Sequence, residues 1–222
     1  MLAFPVKFFH GNKKEVGAMR KMLFACDRTE RFIWLELPNG IPITPPIAER
    51  FCRALARLNQ ETSSPVFIYL SGRGGGDFFA CLKMVHAIEA SASPVYAVAF
   101  GMLRSGSFFI TQASRACYTI TGARFQFHHA TDFFVKGRKD EWGMSQRTYW
   151  RKMEMLRLID AMQVLLFTRR GRSIGAVVRA FEREEKLTVK KARALHLVDG
   201  AYSRKEFAKM RALALACARK NR

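Results

Sequence analysis

The sequence predicts an α/β protein in which helices flank a mostly parallel central sheet. Its 222 residues are enough to bury a sizeable core. Short runs of β-branched and aromatic residues recur along the chain, and stretches with helical periodicity separate them. Because strands that alternate with helices form βαβ units, we expect their strands to lie parallel in one sheet.

The predicted elements follow one another in chain order. Strands are expected at the apolar runs 31–37, 66–71, 95–100, 117–121 and 124–128. Helices are expected at 45–58 after the N-cap Thr44, at 77–90 and at 142–168, and two further helices begin after Ser173 and Thr188. Residues 203–222 are expected to form a basic C-terminal helix or tail, and residues 1–30 carry no assigned element.

Composition excludes several classes of protein. The five cysteines are dispersed without a CxxC pair, which argues against a disulfide framework and against a zinc site. No apolar run approaches the roughly 18 residues that a membrane-spanning helix needs, and the N-terminus lacks the pattern of a signal peptide. We therefore expect a cytoplasmic protein with no metal, no other cofactor and no membrane association.

The charge of the chain is unusual. Thirty-eight Lys and Arg residues against eighteen Asp and Glu residues give a net charge of +20. Such a charge attracts nucleic acid and other anionic partners. However, the sequence contains no helix-turn-helix, zinc-finger or aromatic RNA-binding motif, so a basic solvated surface explains the charge equally well.

A glycine cluster is the first candidate for a functional site. Residues 72–77, Gly-Arg-Gly-Gly-Gly-Asp, follow a predicted strand and open a predicted helix. Backbone N–H groups at such a helix start suit an anion or an oxyanion. The segment is not a P-loop, because no Gly-Lys-Ser/Thr follows, and it fits a dinucleotide-binding motif poorly. A tight turn without a ligand is the alternative interpretation.

Two further candidates lie at the ends of strands. Ser105 follows the strand 95–100 in a short turn before an apolar helix, where α/β proteins place their ligands. His128 lies at the end of the strand 124–128. As isolated residues, Ser105 could be a helix N-cap and His128 could be structural.

The order of these features resembles the proteolytic subunit of Clp protease (ClpP), within the ClpP/crotonase superfamily. The resemblance extends over roughly residues 33–199. The matching segments are residues 64–76, similar to the family's strand and Ser-Pro-Gly-Gly turn; 101–108, similar to its nucleophile turn; 124–130, similar to its histidine-bearing strand; and 171–199, similar to its closing segment. The resemblance implies a ClpP/crotonase-like ββα superhelix over residues 31–202, with a handle at about 131–168.

The resemblance also implies a serine endopeptidase. Ser105 corresponds to the nucleophile, His128 to the general base and Glu184 to the acid of the triad, and the backbone N–H groups of Gly74 and Gly106 correspond to the oxyanion hole. Glu184 is expected on a charged helix, with Glu182 and Glu185 as alternative acids. The sequence departs from the family where Arg73 replaces a proline, where Gly106 follows the serine, where Ala130 replaces a second proline and where the acid is Glu instead of Asp.

The implied partners are polypeptide substrates and further copies of the chain. The family forms rings that stack in pairs through the handle, and an AAA+ ATPase unfoldase is a candidate partner. The apolar residues expected to supply the handle contact are Tyr149, Met153, Leu156, Ile159 and Leu166.

Three other functions stay open at this point. A ClpP-like subunit without activity would serve as a ring component or scaffold. A crotonase-like acyl-CoA enzyme would use the same oxyanion hole on a thioester, but it would leave the set Ser105, His128 and Glu184 without a role. A basic nucleic-acid-binding protein would explain the charge alone.

Overall fold

The computed structural model describes residues 22–38, 41–73, 75–130, 145–169 and 173–220. Eight strands in these residues form one sheet. They are β1 (Leu23–Asp27), β2 (Phe32–Leu37), β3 (Val66–Gly72), β4 (Val95–Arg104), β5 (Ala116–Thr119), β6 (Arg124–Gln126), β7 (Lys186–Thr188) and β8 (Gly200–Ala201). The helices are α1 (Pro45–Glu61), α2 (Phe78–Glu89), α3 (Gly106–Thr111), α4 (Gln146–Thr168), α5 (Ile174–Glu182), α6 (Val189–Ala194) and α7 (Arg204–Lys220).

The centre of the sheet is parallel. The strand order is β1-β2-β3-β4-β5-β8, in which only β1 runs antiparallel to its neighbour. The long strand β4 pairs with β5 along its first half and with β6 along its second half, and β7 lies antiparallel to β6. The predicted α/β fold with a mostly parallel sheet flanked by helices is thus confirmed.

Successive side chains of each central strand point to opposite faces of the sheet, and each face carries a hydrophobic core. In β2, Ile33 and Leu35 point to the larger core, which helices α1, α2 and α3 cover, whereas Phe32 and Trp34 point to the other face. The same period of two residues continues in β3 and β4, as a strand buried on both faces requires.

Helix α7 covers the second face. Phe207 lies 5.3 Å from Trp34 and 5.1 Å from Phe100 between ring centroids, and Met210 and Ala214 of the same helix are buried in this core. The Tyr69 hydroxyl lies 2.8 Å from that of Tyr202, just before α7. The basic segment expected as a helix or a tail is therefore a helix that packs on the sheet.

Several element boundaries differ from those expected. Strand β1 lies within the segment 1–30, to which the sequence analysis assigned no element. Helix α1 continues three residues beyond its predicted end, and Thr44 occupies its N-cap without a side-chain bond. Strand β6 ends at Gln126, so His128 follows the strand instead of closing it. Most of the first half of the expected handle, residues 131–144, lies outside the described residues.

No described helix combines the length and the apolar character needed to cross a bilayer.

Candidate active site

Ser105 occupies a strained turn between β4 and α3. Its φ of 51° and ψ of −124° lie in a region that residues other than glycine rarely adopt, at a cost of about 1–3 kcal/mol. Although Ser105 stands at the N-cap position of α3, its side chain makes no capping hydrogen bond. Capping therefore does not explain the serine at this position.

Hydrogen bonds from three strands hold the turn in place. The Ser107 hydroxyl donates to the Gly72 carbonyl oxygen at 2.6 Å and accepts from the Arg104 N–H at 3.0 Å. The Ser105 N–H faces the carbonyl oxygen of Gln126 at 3.3 Å. The ends of β3, β4 and β6 are thus fixed relative to the nucleophile turn.

Two glycines pack closely against the turn. A Cβ added to Gly75, whose φ is +63°, would lie 3.0 Å from the Ser105 Cβ and 3.2 Å from its Oγ. A Cβ added to Gly106 would overlap the Sγ of Cys81 on α2. Burial raises the pKa of the Cys81 thiol to about 12, so the thiol stays neutral and packs as a small apolar group. Gly106 is therefore needed for packing, a reason that the sequence did not reveal.

The second glycine expected in the oxyanion hole, Gly74, lies outside the described residues. Its role stays a prediction.

His128 lies on a short segment after β6 that is fixed by its buried neighbour. Phe127 is 1% exposed, packs against Phe108, Phe167 and Phe181, and donates its N–H to the Glu185 carbonyl oxygen at 3.1 Å. The side chain of His128 itself is 17% exposed. Its Nδ1 bonds to the backbone carbonyl oxygen of His129 and lies 3.5 Å from the Glu184 Oε1.

Glu184 does not lie on a helix, and that expectation was wrong. Helix α5 ends at Glu182, and Glu184 sits in the following turn with a φ of 47°. From this turn its Oε1 accepts a hydrogen bond from the His129 N–H at 3.0 Å, while the side chain remains 44% exposed. Of the two alternative acids, Glu185 pairs with Lys191 and Glu182 is exposed on the last turn of α5.

A second histidine–carboxylate pair was not predicted from the sequence. The His129 Nδ1 lies 2.9 Å from the Asp160 Oδ2, and the Asp160 Oδ1 accepts from the Ala130 N–H at 2.6 Å. Asp160 thereby ties the segment after His128 to helix α4. The sequence does indicate that Asp160 has a polar partner, because it is the one charged residue in the otherwise apolar run 158–162 and a carboxylate needs a partner when its helix packs.

Ser105 and His128 line the same cavity of about 690 Å³. Its other walls come from the glycine loop, including Gly75 and Gly76, and from helix α4, including Met155 and Ile159. The structure thus brings the predicted nucleophile and base to one cavity and places the predicted acid beside the base. Serine, histidine and a carboxylate are residue types that acyl transfer through a serine uses.

Among the described residues, no three His, Cys, Asp or Glu side chains gather as a metal site would require.

The fold is that of a ClpP protease subunit. A point mutant of ClpP1 from Listeria monocytogenes has a similar structure, with a TM-score of 0.64 at 16% sequence identity, over 81% of this chain and 95% of that one. The sequence model described as Clp protease matches residues 29–205. The chain therefore belongs to the Clp protease family, and this membership supports a peptidase of the ClpP type. A comparison with curated proteins finds no match.

Proposed function

We propose that the protein is a serine endopeptidase that cleaves peptide bonds through an acyl-enzyme on Ser105. The observation that carries the proposal is that Ser105, strained and not used as a helix cap, shares its cavity with His128, and that the carboxylate of Glu184 lies 3.5 Å from the imidazole. Backbone strain at a cavity is a common property of functional residues.

In the proposed mechanism, the Ser105 Oγ attacks the scissile carbonyl while His128 accepts the hydroxyl proton. Because the Nδ1 of His128 faces the His129 carbonyl oxygen and the Glu184 carboxylate, the Nε2 is the nitrogen that takes this proton and later gives it to the leaving amine. The carboxylate of Glu184 stabilises the imidazolium that forms. The N–H groups of Gly106 and Gly74 bind the oxyanion, and water then releases the acyl group.

We also propose that the chain assembles into a ring, and that two rings stack through helix α4. Of the residues expected to supply this contact, Ile159 and Leu166 are buried within the subunit, and the other three, Tyr149, Met153 and Leu156, are half-buried. A different stripe of α4 is exposed: Trp150 by 52%, Leu158 by 57% and Leu165 by 66%. Apolar exposure of this size favours an interface between subunits.

Sedimentation velocity tests the assembly. The wild type should sediment as a multimer at micromolar concentration, and the double substitution Leu158→Asp with Leu165→Asp should halve the mass by separating the rings. Replacement of the exposed polar Glu154 on the same helix by Gln is the control. A monomeric wild type would rule out the assembly.

Labelling by a fluorophosphonate probe tests the catalytic proposal. The wild type should be labelled at Ser105 and should cleave casein or a short peptide. Ser105→Ala should abolish labelling and lower kcat by at least about 10³-fold with the fold intact, because the change removes only the nucleophilic oxygen. Replacement of the exposed loop residue Ser64 by Ala should change neither readout. An unlabelled, inactive wild type would favour a scaffold subunit, and activity that persists in the pure Ser105→Ala protein would contradict the mechanism.

A further inference from the structure

The cavity that holds Ser105 carries an excess of positive charge. Three basic side chains line it from three different elements: Arg73 after β3, Arg104 at the end of β4 and Lys152 on α4. Asp77 is the one carboxylate among the described residues that line the cavity, and its Oδ1 already accepts the Ala80 N–H at 2.7 Å as the N-cap of α2. Glu184 and Asp160 do not line the cavity, and they pair with His128 and His129. A cavity with low-dielectric walls and one sign of charge concentrates ligands of the opposite sign.

Arg104 is the basic residue closest in sequence to the chemistry, since it directly precedes Ser105. Its Nε is buried and has no hydrogen-bond partner in the part of the chain that the structure describes. Within the described residues, neither Arg104 nor Arg73 forms an ion pair with a carboxylate. A guanidinium N–H without an acceptor is destabilising when it is buried. Because Arg104 as a whole is only partly buried and lines the cavity, the exposed part of its guanidinium is open to an acceptor on a ligand.

We propose that the cavity selects substrates with a carboxylate beside the bond that is cleaved. Arg104 would hold this carboxylate, and Arg73 and Lys152 would add to the attraction. A guanidinium is suited to the task because its planar N–H groups match the two oxygens of a carboxylate. The carboxylate has two sources, an Asp or Glu side chain next to the scissile bond or the C-terminus of a short peptide. This inference rests on the proposed function of the same site.

Peptide binding to the full-length Ser105→Ala protein tests the proposal without requiring catalysis. Three rhodamine-labelled peptides of one sequence are compared by fluorescence anisotropy: one with an internal Glu and an amidated C-terminus, one with Gln in its place and an amidated C-terminus, and the Gln peptide with a free C-terminus. We expect at least one carboxylate peptide to bind about tenfold or more tightly than the amidated Gln peptide, as a charge-assisted hydrogen bond implies. The peptide that gains identifies the source of the carboxylate.

Substitutions then locate the site. Arg104→Gln should reduce the preference for the carboxylate to less than about threefold. Arg115→Gln removes the same charge from an exposed position outside the cavity and should leave the preference unchanged. If Arg104→Gln does not fold, Arg73→Gln combined with Lys152→Gln serves as the second variant and should also lower the preference.

Two results would overturn the inference. The first is equal binding of all three peptides. The second is an equal loss in Arg115→Gln and in the cavity variants, which would mean that only the net charge of +20 attracts the peptides. The proposed function fails separately: carboxylate-selective binding without probe labelling of the wild type would leave an anion site in a subunit without peptidase activity, whereas cleavage without a carboxylate preference would contradict only the present inference.

Discussion

The two sides of the cavity are held in place by different interactions. On the Ser105 side, buried groups pack closely, with Gly106 against Cys81 and the Ser107 hydroxyl between two strands. On the histidine side, carboxylates reach in from other elements, Glu184 from the turn after α5 and Asp160 from α4. The position of the nucleophile is thus set by packing, whereas that of the base depends on hydrogen bonds from distant parts of the chain.

Substitutions on the two sides of the cavity should therefore have different effects on activity and on stability. Substitutions on the histidine side should alter activity more than stability. Substitutions in the packed turn should alter stability first.

The largest difference in kcat is expected between two single substitutions, in which each of the neighbouring histidines is replaced by Ala. His128→Ala should lower kcat by at least about 10³-fold, because it removes the general base. His129→Ala should lower kcat by less than about tenfold, because the imidazole of His129 bonds to Asp160 and serves only to position the segment. The measurement is kcat for both variants on one peptide, with thermal unfolding as the check on the fold. A folded His129→Ala protein with the larger loss would assign the base to His129.

Replacing the carboxylate beside His128, that of Glu184, should lower kcat more than replacing the carboxylate beside His129, that of Asp160. Glu184→Gln keeps the shape of the side chain and can still accept the His129 N–H, but it no longer stabilises the imidazolium. A comparable acid-to-amide change in a well-studied serine protease lowers turnover by about 10⁴-fold. We expect a loss of at least about 10²-fold here, since Glu184 is 44% exposed and water partly replaces it. Asp160→Asn should lower kcat by less than about tenfold.

Both variants are compared with the wild type at pH 7–8. A loss of less than threefold in Glu184→Gln would mean that another group is the acid, or that the site works as a dyad.

The smallest effect on activity, and the clearest on stability, is expected in the packed turn. Gly106→Ala should destabilise the fold by about 1–3 kcal/mol, because the new Cβ overlaps the Cys81 Sγ. Cys81→Ala in the same chain should recover most of this loss, since the nearest remaining atoms, the Cys81 Cβ and the Gly75 carbonyl carbon, would lie 3.6 Å away. Urea unfolding of the two single variants and the double variant measures the coupling. Additive effects would show that the contact does not govern the choice of glycine.

That Ser105 and His128 line one cavity could be expected from the sequence, because each was predicted at or just after the end of a strand that an apolar run indicates. Glu184 was expected on a helix because the charged residues 182–186 directly continue a segment with helical periodicity, whereas the helix ends at Glu182 and the backbone at Glu184 turns to a positive φ. Asp160 could not be assigned, since its partners His129 and Ala130 lie about 30 residues away and meet it only when α4 packs. Contacts of this kind depend on tertiary structure and leave no local periodicity.

Helix α7 joins the two ends of the described chain, because it packs on β1 and on the aromatic face of the sheet. During synthesis on a ribosome, the residues of α7 are added almost 180 residues after those of β1, at a rate of roughly 5–20 residues per second. Trp34, Tyr69 and Phe100 therefore remain without their cover for many seconds while the other face of the sheet can already condense. We therefore expect an intermediate during synthesis in which the aromatic face of the sheet is exposed and accessible to chaperones, until α7 packs on it.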